Sequence, residues 1–158
     1  MRVLLLTVLV AVLAACQPAA PAMPARDGSW VRAEGLREIK PIVWQLRENY
    51  TVAPPRTQLL VVSWHFNTQR DNGQPDFDNE KDFAKVEAEL SATLREHGTL
   101  VAVLDFNTQH DWYWYVDDAA LKTRVEESLK STPPRDIAVS VEDDAKAEFY
   151  GSLKKRMY

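Results

Sequence analysis

A single cysteine, Cys16, stands in a chain of 158 residues. No intrachain disulfide is therefore possible, and any folded part must stand on packing alone. The three histidines, His65, His97 and His110, are too scattered to make a zinc-ligand pattern. A Gly-x-Ser-x-Gly elbow is missing, so no nucleophile is marked, although Ser, His and Asp can still meet in space. A basic block is missing too. The formal net charge of −4 argues against nucleic acid and against an electrostatic grip on anionic lipid. No apolar run reaches the roughly 20 residues that a bilayer-spanning helix needs. These absences leave no catalytic residue, no metal site and no cofactor to assign, and the expectation is a protein that is not an enzyme.

What is present starts at the N-terminus. Arg2 precedes a run of Leu, Val and Ala from Val3 to Val12, and Leu13-Ala14-Ala15-Cys16 closes it. That is the pattern of an export signal with small residues at its cleavage site. It resembles the lipobox of bacterial lipoproteins. The resemblance implies removal of residues 1–15 and lipidation of Cys16 with a diacylglyceryl group and an N-acyl chain such as palmitate, which together make a stable membrane anchor. Gln17, rather than Asp, after the cysteine implies sorting to the outer membrane, with the domain facing the periplasm. Removal of residues 1–15 takes one arginine and no acid, so the mature chain is slightly more acidic still.

Residues 16–27 carry Pro18, Pro21 and Pro24 among alanines. Such a stretch favours polyproline II and would hold a domain about 30 Å from the lipid. Residues 28–158 are expected to fold as one domain.

Within that domain, Ile42, Trp44 and Leu46 alternate with less apolar neighbours, and Trp30 to Gly35 ahead of them suggest a loose N-terminal hairpin. Leu59 to Phe66 reads as a central strand, and Asn67 to Asp78 as a loop. Phe83, Val86, Leu90 and Leu94 mark one face of a helix, with Asp76 or Asp78 as its cap and Gly98 near its end. Leu100 to Phe106 and Trp112 to Val116 read as strands joined by residues 107–111 in a hairpin. A second helix carries Leu121, Val125 and Leu129 and stops at Pro133-Pro134. Ile137, Val139 and Val141 mark a strand. Phe149, Leu153 and Met157 mark a last helix, whose final-turn cations Lys154, Lys155 and Arg156 suit the helix dipole.

The core order strand, helix, strand, strand, helix, strand is that of a split βαβ, ferredoxin-like α+β domain. It predicts an antiparallel sheet with helices on one face, plus the N-terminal hairpin and the C-terminal helix.

Several segments together resemble the DUF695 family over roughly residues 28–158. They are Pro41-Ile42-Val43-Trp44-Gln45-Leu46-Arg47-Glu48, Val61-Val62-Ser63-Trp64, Asn72-Gly73-Gln74-Pro75 with Val86-Glu87-Ala88-Glu89-Leu90, and Trp112-Tyr113-Trp114-Tyr115-Val116. The resemblance implies a fold similar to the regulator of ribonuclease activity B, which acts by binding an enzyme. It implies no activity and carries over no catalytic residue. Export would remove a ribonuclease from the sensible partners.

One internal repeat stands out. Phe66-Asn67-Thr68-Gln69-Arg70-Asp71 and Phe106-Asn107-Thr108-Gln109-His110-Asp111 match at five of six positions. In a ferredoxin-like sheet both segments leave at the same edge. This gathers Asn67, Thr68, Gln69, Asp71, Asn107, Thr108, Gln109, His110 and Asp111 into a possible binding rim for polar ligands. Two polar turns alike by chance are the simpler explanation.

Trp64, Trp112 and Trp114 form a possible aromatic surface on the open sheet face, unless the N-terminal hairpin shields that face. Asp71, Asp76, Asp78 and Glu80 do not have EF-hand spacing and suit capping and solvation better than calcium. The expected function is a membrane-anchored, non-catalytic interaction module with an unidentified envelope protein as partner and no nucleic acid. The alternative is a small polar-ligand-binding or hydrolytic domain that uses the rim.

Overall fold

The computed structural model describes residues 26–130 and 135–157. The signal peptide, Cys16, the tether as far as residue 25 and the Pro133-Pro134 stop lie outside the described residues.

The chain forms β1 (Trp30–Arg37), β2 (Lys40–Arg47), β3 (Gln58–His65), α1 (Phe77–Leu94), β4 (Gly98–Phe106), β5 (Gln109–Val116), α2 (Leu121–Leu129), β6 (Asp136–Asp143) and α3 (Glu148–Met157). The strands make one sheet in the order β1-β2-β4-β5-β3-β6, with every neighbouring pair antiparallel. The four strands β4-β5-β3-β6 with α1 and α2 are the ferredoxin-like unit expected. The β1–β2 hairpin lengthens the sheet beyond β4.

Period-two alternation sorts side chains to two faces. Leu60, Val62, Trp64, Trp112, Trp114 and Val116 pack under Phe83, Val86, Leu90 and Leu94 of α1 and Leu121 and Val125 of α2. Leu46, Leu59, Val101, Ala102 and Tyr115 face the other way and pack under Tyr150 and Leu153 of α3. A register shift between Leu100 and Ala102 turns both Val101 and Ala102 to that second face. Because both faces are covered, β3 reads as an unbroken apolar run in the sequence.

Asp76 caps α1 by accepting from the backbone N–H groups of Asp78 and Asn79, and Asn79 returns a bond to the Asp76 N–H, completing a capping box. The Asn79 amide above all, with those of Gln69 and Asp78, holds the Asp76 carboxyl below its usual range. At the start of α3, Asp144 accepts from the Glu148 and Phe149 amides and from the Tyr115 hydroxyl. Burial first, and then the Asp144 carboxylate, push the Tyr115 hydroxyl up, so it stays a donor.

Three expectations need correction. The N-terminal hairpin does not shield a sheet face: it pairs edge to edge with β4, and the second face is covered by α3 and by Tyr50 and Val52 of the β2–β3 connection. Trp64, Trp112 and Trp114 are not a surface; they are buried beneath α1, because the register turns all three toward the helices. The β4–β5 connection is not five residues long. It is the pair Asn107-Thr108, both at positive φ, and Gln109 to Asp111 already belong to β5. Two residues in the left-handed region are what a tight hairpin turn requires, and asparagine enters that region readily.

Candidate functional site

The two repeated segments do meet. β3 and β4 both flank β5 antiparallel, so they run the same way and end at one edge of the sheet. There the Phe66 N–H donates to the Thr108 carbonyl at 2.9 Å, and the Thr108 N–H donates to the Gly73 carbonyl at 2.8 Å. Gly73 has φ +74°, and a Cβ placed on it would lie 3.2 Å from Asn107 Cα. Glycine suits both the positive φ and this close approach of the two backbones.

Most polar groups of this edge serve the loops themselves. Thr68 Oγ1 donates to the Gln74 carbonyl and accepts from the Arg70 N–H. Asn79 Nδ2 donates to the Asn67 carbonyl, and the Gln69 N–H donates to Asp76. Lys40 Nζ donates to Asn107 Oδ1. Asn67, Gln69, Asp71 and Asn107 remain exposed, and Thr68 and Thr108 are half-buried.

The rest of the expected rim is divided. His110 and Asp111 are adjacent on β5 and therefore point to opposite faces. His110 is buried on the α1 side, stacked on Phe83 at 3.9 Å between ring centroids, with Nδ1 on Asp105 Oδ1. Its Nε2 is buried without a partner. Asp111 is buried on the α3 side, where it accepts from Gln109 Nε2 at 2.8 and 2.9 Å and from the Tyr113 hydroxyl at 3.1 Å. Burial and then the Asp111 charge push the Tyr113 hydroxyl above its ordinary range. Neither His110 nor Asp111 reaches a shared ligand position with Asn67. The hydrolytic version of the rim needs that meeting, and this geometry does not supply it.

Sequence reasoning did not single out Asp105. Its signal was there: an acid inside the apolar run Leu100 to Phe106, opposite His110 once the turn is two residues long. No group of three or more His, Cys, Asp or Glu arranged to hold a metal ion occurs among the described residues.

Beside the loops stands the tip of the β1–β2 hairpin. β2 pairs with β4 only from Ile42 to Leu46, so Leu36 to Pro41 project past Phe106. Leu36 is 75% exposed and Ile39 is 94% exposed. The turn residues Glu38 and Ile39 have φ of 52° and 62°. A β-branched residue in the left-handed region is strained, and here no packing compensates it. The sequence suggested a loose hairpin with Gly35 after its first arm. Gly35 lies inside β1, opposite Ile42.

At the other end of the sheet the chain enters the fold through Arg26. Its Nε and Nη2 donate to both oxygens of Glu87 at 2.7 and 2.6 Å, and its Nη1 donates to Gln45 Oε1 at 2.6 Å. The Trp112 indole N–H also donates to Glu87, at 3.0 Å. The Arg26 and Glu87 side chains are only 9% and 5% exposed. The last residues of the expected tether are thus pinned to α1 and β2.

No curated protein and no solved structure matches this chain. One family model does, that of a family of unknown function, DUF695, over residues 29–153. That match covers every strand, α1, α2 and the start of α3, so the chain belongs to the DUF695 family.

Proposed function

We propose that this chain is a lipid-anchored, non-catalytic interaction module of the bacterial envelope. Cys16 carries the anchor, the protein sits at the outer membrane facing the periplasm, and the β1–β2 tip meets an envelope protein. The observation that carries the reading is the tip itself. It holds the two most exposed large aliphatic side chains among the described residues, on a strained turn. Strain at an exposed position with no internal gain is found where backbone geometry serves recognition. Placement agrees. Arg26, where the tether joins, lies at the Arg47 end of the hairpin, and Ile39 lies at the opposite end, about 25 Å away for an eight-residue strand. A domain held at one end and apolar at the other offers its tip away from the lipid. Anchoring also raises the local concentration near membrane partners.

The test is in-cell crosslinking followed by mass spectrometry, for the chain as it is and for Ile39→Gly. One abundant envelope protein, lost in the variant, is the expected result. Capture that is indifferent to Ile39 and Leu36 would sink the tip as the contact. Cys16→Ser should move the protein to the soluble fraction, and a variant that still pellets with membranes would sink the anchor.

A second reading keeps a polar-ligand rim reduced to Asn67, Gln69, Asp71 and Asn107, which stay exposed on adjoining loops. Asn67→Ala with Gln69→Ala would then abolish a ligand-induced rise in melting temperature and leave the apo value in place.

A further inference from the structure

A cleft of about 540 Å³ opens at the tether end, between the start of the folded chain, the second half of α1 and the first residues of β4. Four arginines line it, Arg26, Arg47, Arg56 and Arg95, with the indoles of Trp30 and Trp114. Two of the arginines are neutralised, Arg26 by Glu87 and Arg47 by Asp27. The other two are not. Among the described residues Arg56 donates only to uncharged oxygens, Thr99 Oγ1 at 2.8 Å and the Glu96 carbonyl at 2.9 Å, which leaves three of its five N–H groups uncommitted there. Arg95 makes no hydrogen bond and no ion pair among the described residues and is exposed. The nearby acids Glu96 and Asp117 line an adjoining hollow beside Arg56, and neither forms an ion pair with it. A chain with a net charge of −4 therefore keeps two uncompensated guanidinium groups in one cleft.

The cleft also has an apolar side. Trp114 is buried, lines this cleft, and its indole N–H has no partner. That N–H is itself inaccessible, so the indole serves the cleft as apolar lining. Trp30 lines the cleft too, with the Arg26 and Arg47 guanidinium groups 4.9 and 5.7 Å from its ring centroid. These cations brace the ring as an apolar wall. Ala88, Ala92 and Gly98 keep the floor low.

From this set we infer that the cleft binds a phosphomonoester attached to an apolar body. Two free guanidinium groups match one dianionic phosphoryl group in charge and in fork geometry. The volume lies within the range of small-ligand sites. Two sources share this chemistry, a soluble phosphomonoester and the headgroup of a phosphatidic acid. The tether end is the part of the domain held nearest the lipid, which makes the second source geometrically accessible. The inference is independent of the hairpin tip, which lies at the far end of the sheet.

The test is calorimetric titration of the full chain in non-ionic detergent at low salt. The probes are phenyl phosphate, dihexanoyl phosphatidic acid, inorganic phosphate and benzoate. Phenyl phosphate or the short-chain lipid should bind, inorganic phosphate less tightly because it has no body for Trp30, and benzoate least. Whichever of the first two binds tighter identifies the source. Arg95→Gln should weaken the better probe about tenfold or more, the loss expected for one charge-assisted contact. Arg95 has no structural partner, so this variant should fold even if Arg56→Gln does not. Failure of both phosphate esters at about 10 mM overturns the proposal. So does affinity unchanged in Arg95→Gln with only a lower melting temperature, which would make Arg95 a cation serving the helix end. Benzoate binding as tightly as phenyl phosphate overturns the phosphate assignment.

Discussion

The two ends of the sheet handle polar groups in opposite ways. At the end holding Asn67, Gly73 and Thr108, hydroxyls, amides and carbonyls answer one another across two loops, and the exposed novelty is aliphatic, Leu36 and Ile39. At the end holding Arg26, Arg56 and Trp114, charge and one indole N–H are left over. The lesson is that likeness in sequence and availability in space are different things. The Phe-Asn-Thr-Gln repeat draws the eye, yet it exists largely to let two strand ends pack closely. The arginines of the cleft come from positions spread along the chain and form no pattern at all.

The contrast can be broken most violently at the tether end. Arg26→Ala strands Glu87 in the interior with only the Trp112 N–H. Urea unfolding should register a loss of about 3–5 kcal/mol. Replacing the pair by Arg26→Met with Glu87→Leu should recover most of it, since apolar packing competes well with a buried ion pair. At the loop end the most sensitive position is Gly73. A methyl there meets the Asn107 backbone at positive φ, so Gly73→Ala should cost about 1–3 kcal/mol by the same measurement.

Ile39→Gly goes the other way. Relief of left-handed strain offsets the entropy of glycine, and thermal melts should show no loss and a gain of up to about 1 kcal/mol. Asn67→Ala should stay within about 0.5 kcal/mol, because its exposed side chain makes no bond in the fold.

Smallest is a pH effect. The Asp76 carboxyl titrates below its usual range in the folded state, so its contribution is complete above the ordinary carboxylate pKa. It fades as pH falls through the lowered folded value. Asp76→Asn keeps a capping side chain and should flatten the acid limb of the stability profile slightly.

Much of the fold was legible. The spacing of Phe83, Val86, Leu90 and Leu94 and the alternation of Ile137, Val139 and Val141 each demand one type of element. Asp76 and Gly98 mark where α1 begins and where the chain leaves it. Boundaries were lost where turns lack their usual residues: Glu38-Ile39 and Asn107-Thr108 both take positive φ without a glycine. Misplacing the second turn hid the Asp105–His110 pair. It also made Gln109 to Asp111 look like loop residues rather than members of opposite sheet faces.

The tryptophans were misread because alternation pairs residues on a face without saying which face meets α1; the register puts all three on the helix side. The DUF695 resemblance was legible from scattered patterns. The cleft was not legible at all, since nothing in Arg26, Arg47, Arg56 and Arg95 announces that they meet.

The strand order has one more consequence. β3 is made before β5 and β6, its two sheet neighbours, and α3, which closes the second face, follows every strand among the described residues. β3 therefore has no sheet partner until β5 has been made. On the proposed export route such a delay would be an asset: a polypeptide whose strands still lack their partners would stay threadable, and it would become a domain only after crossing the membrane.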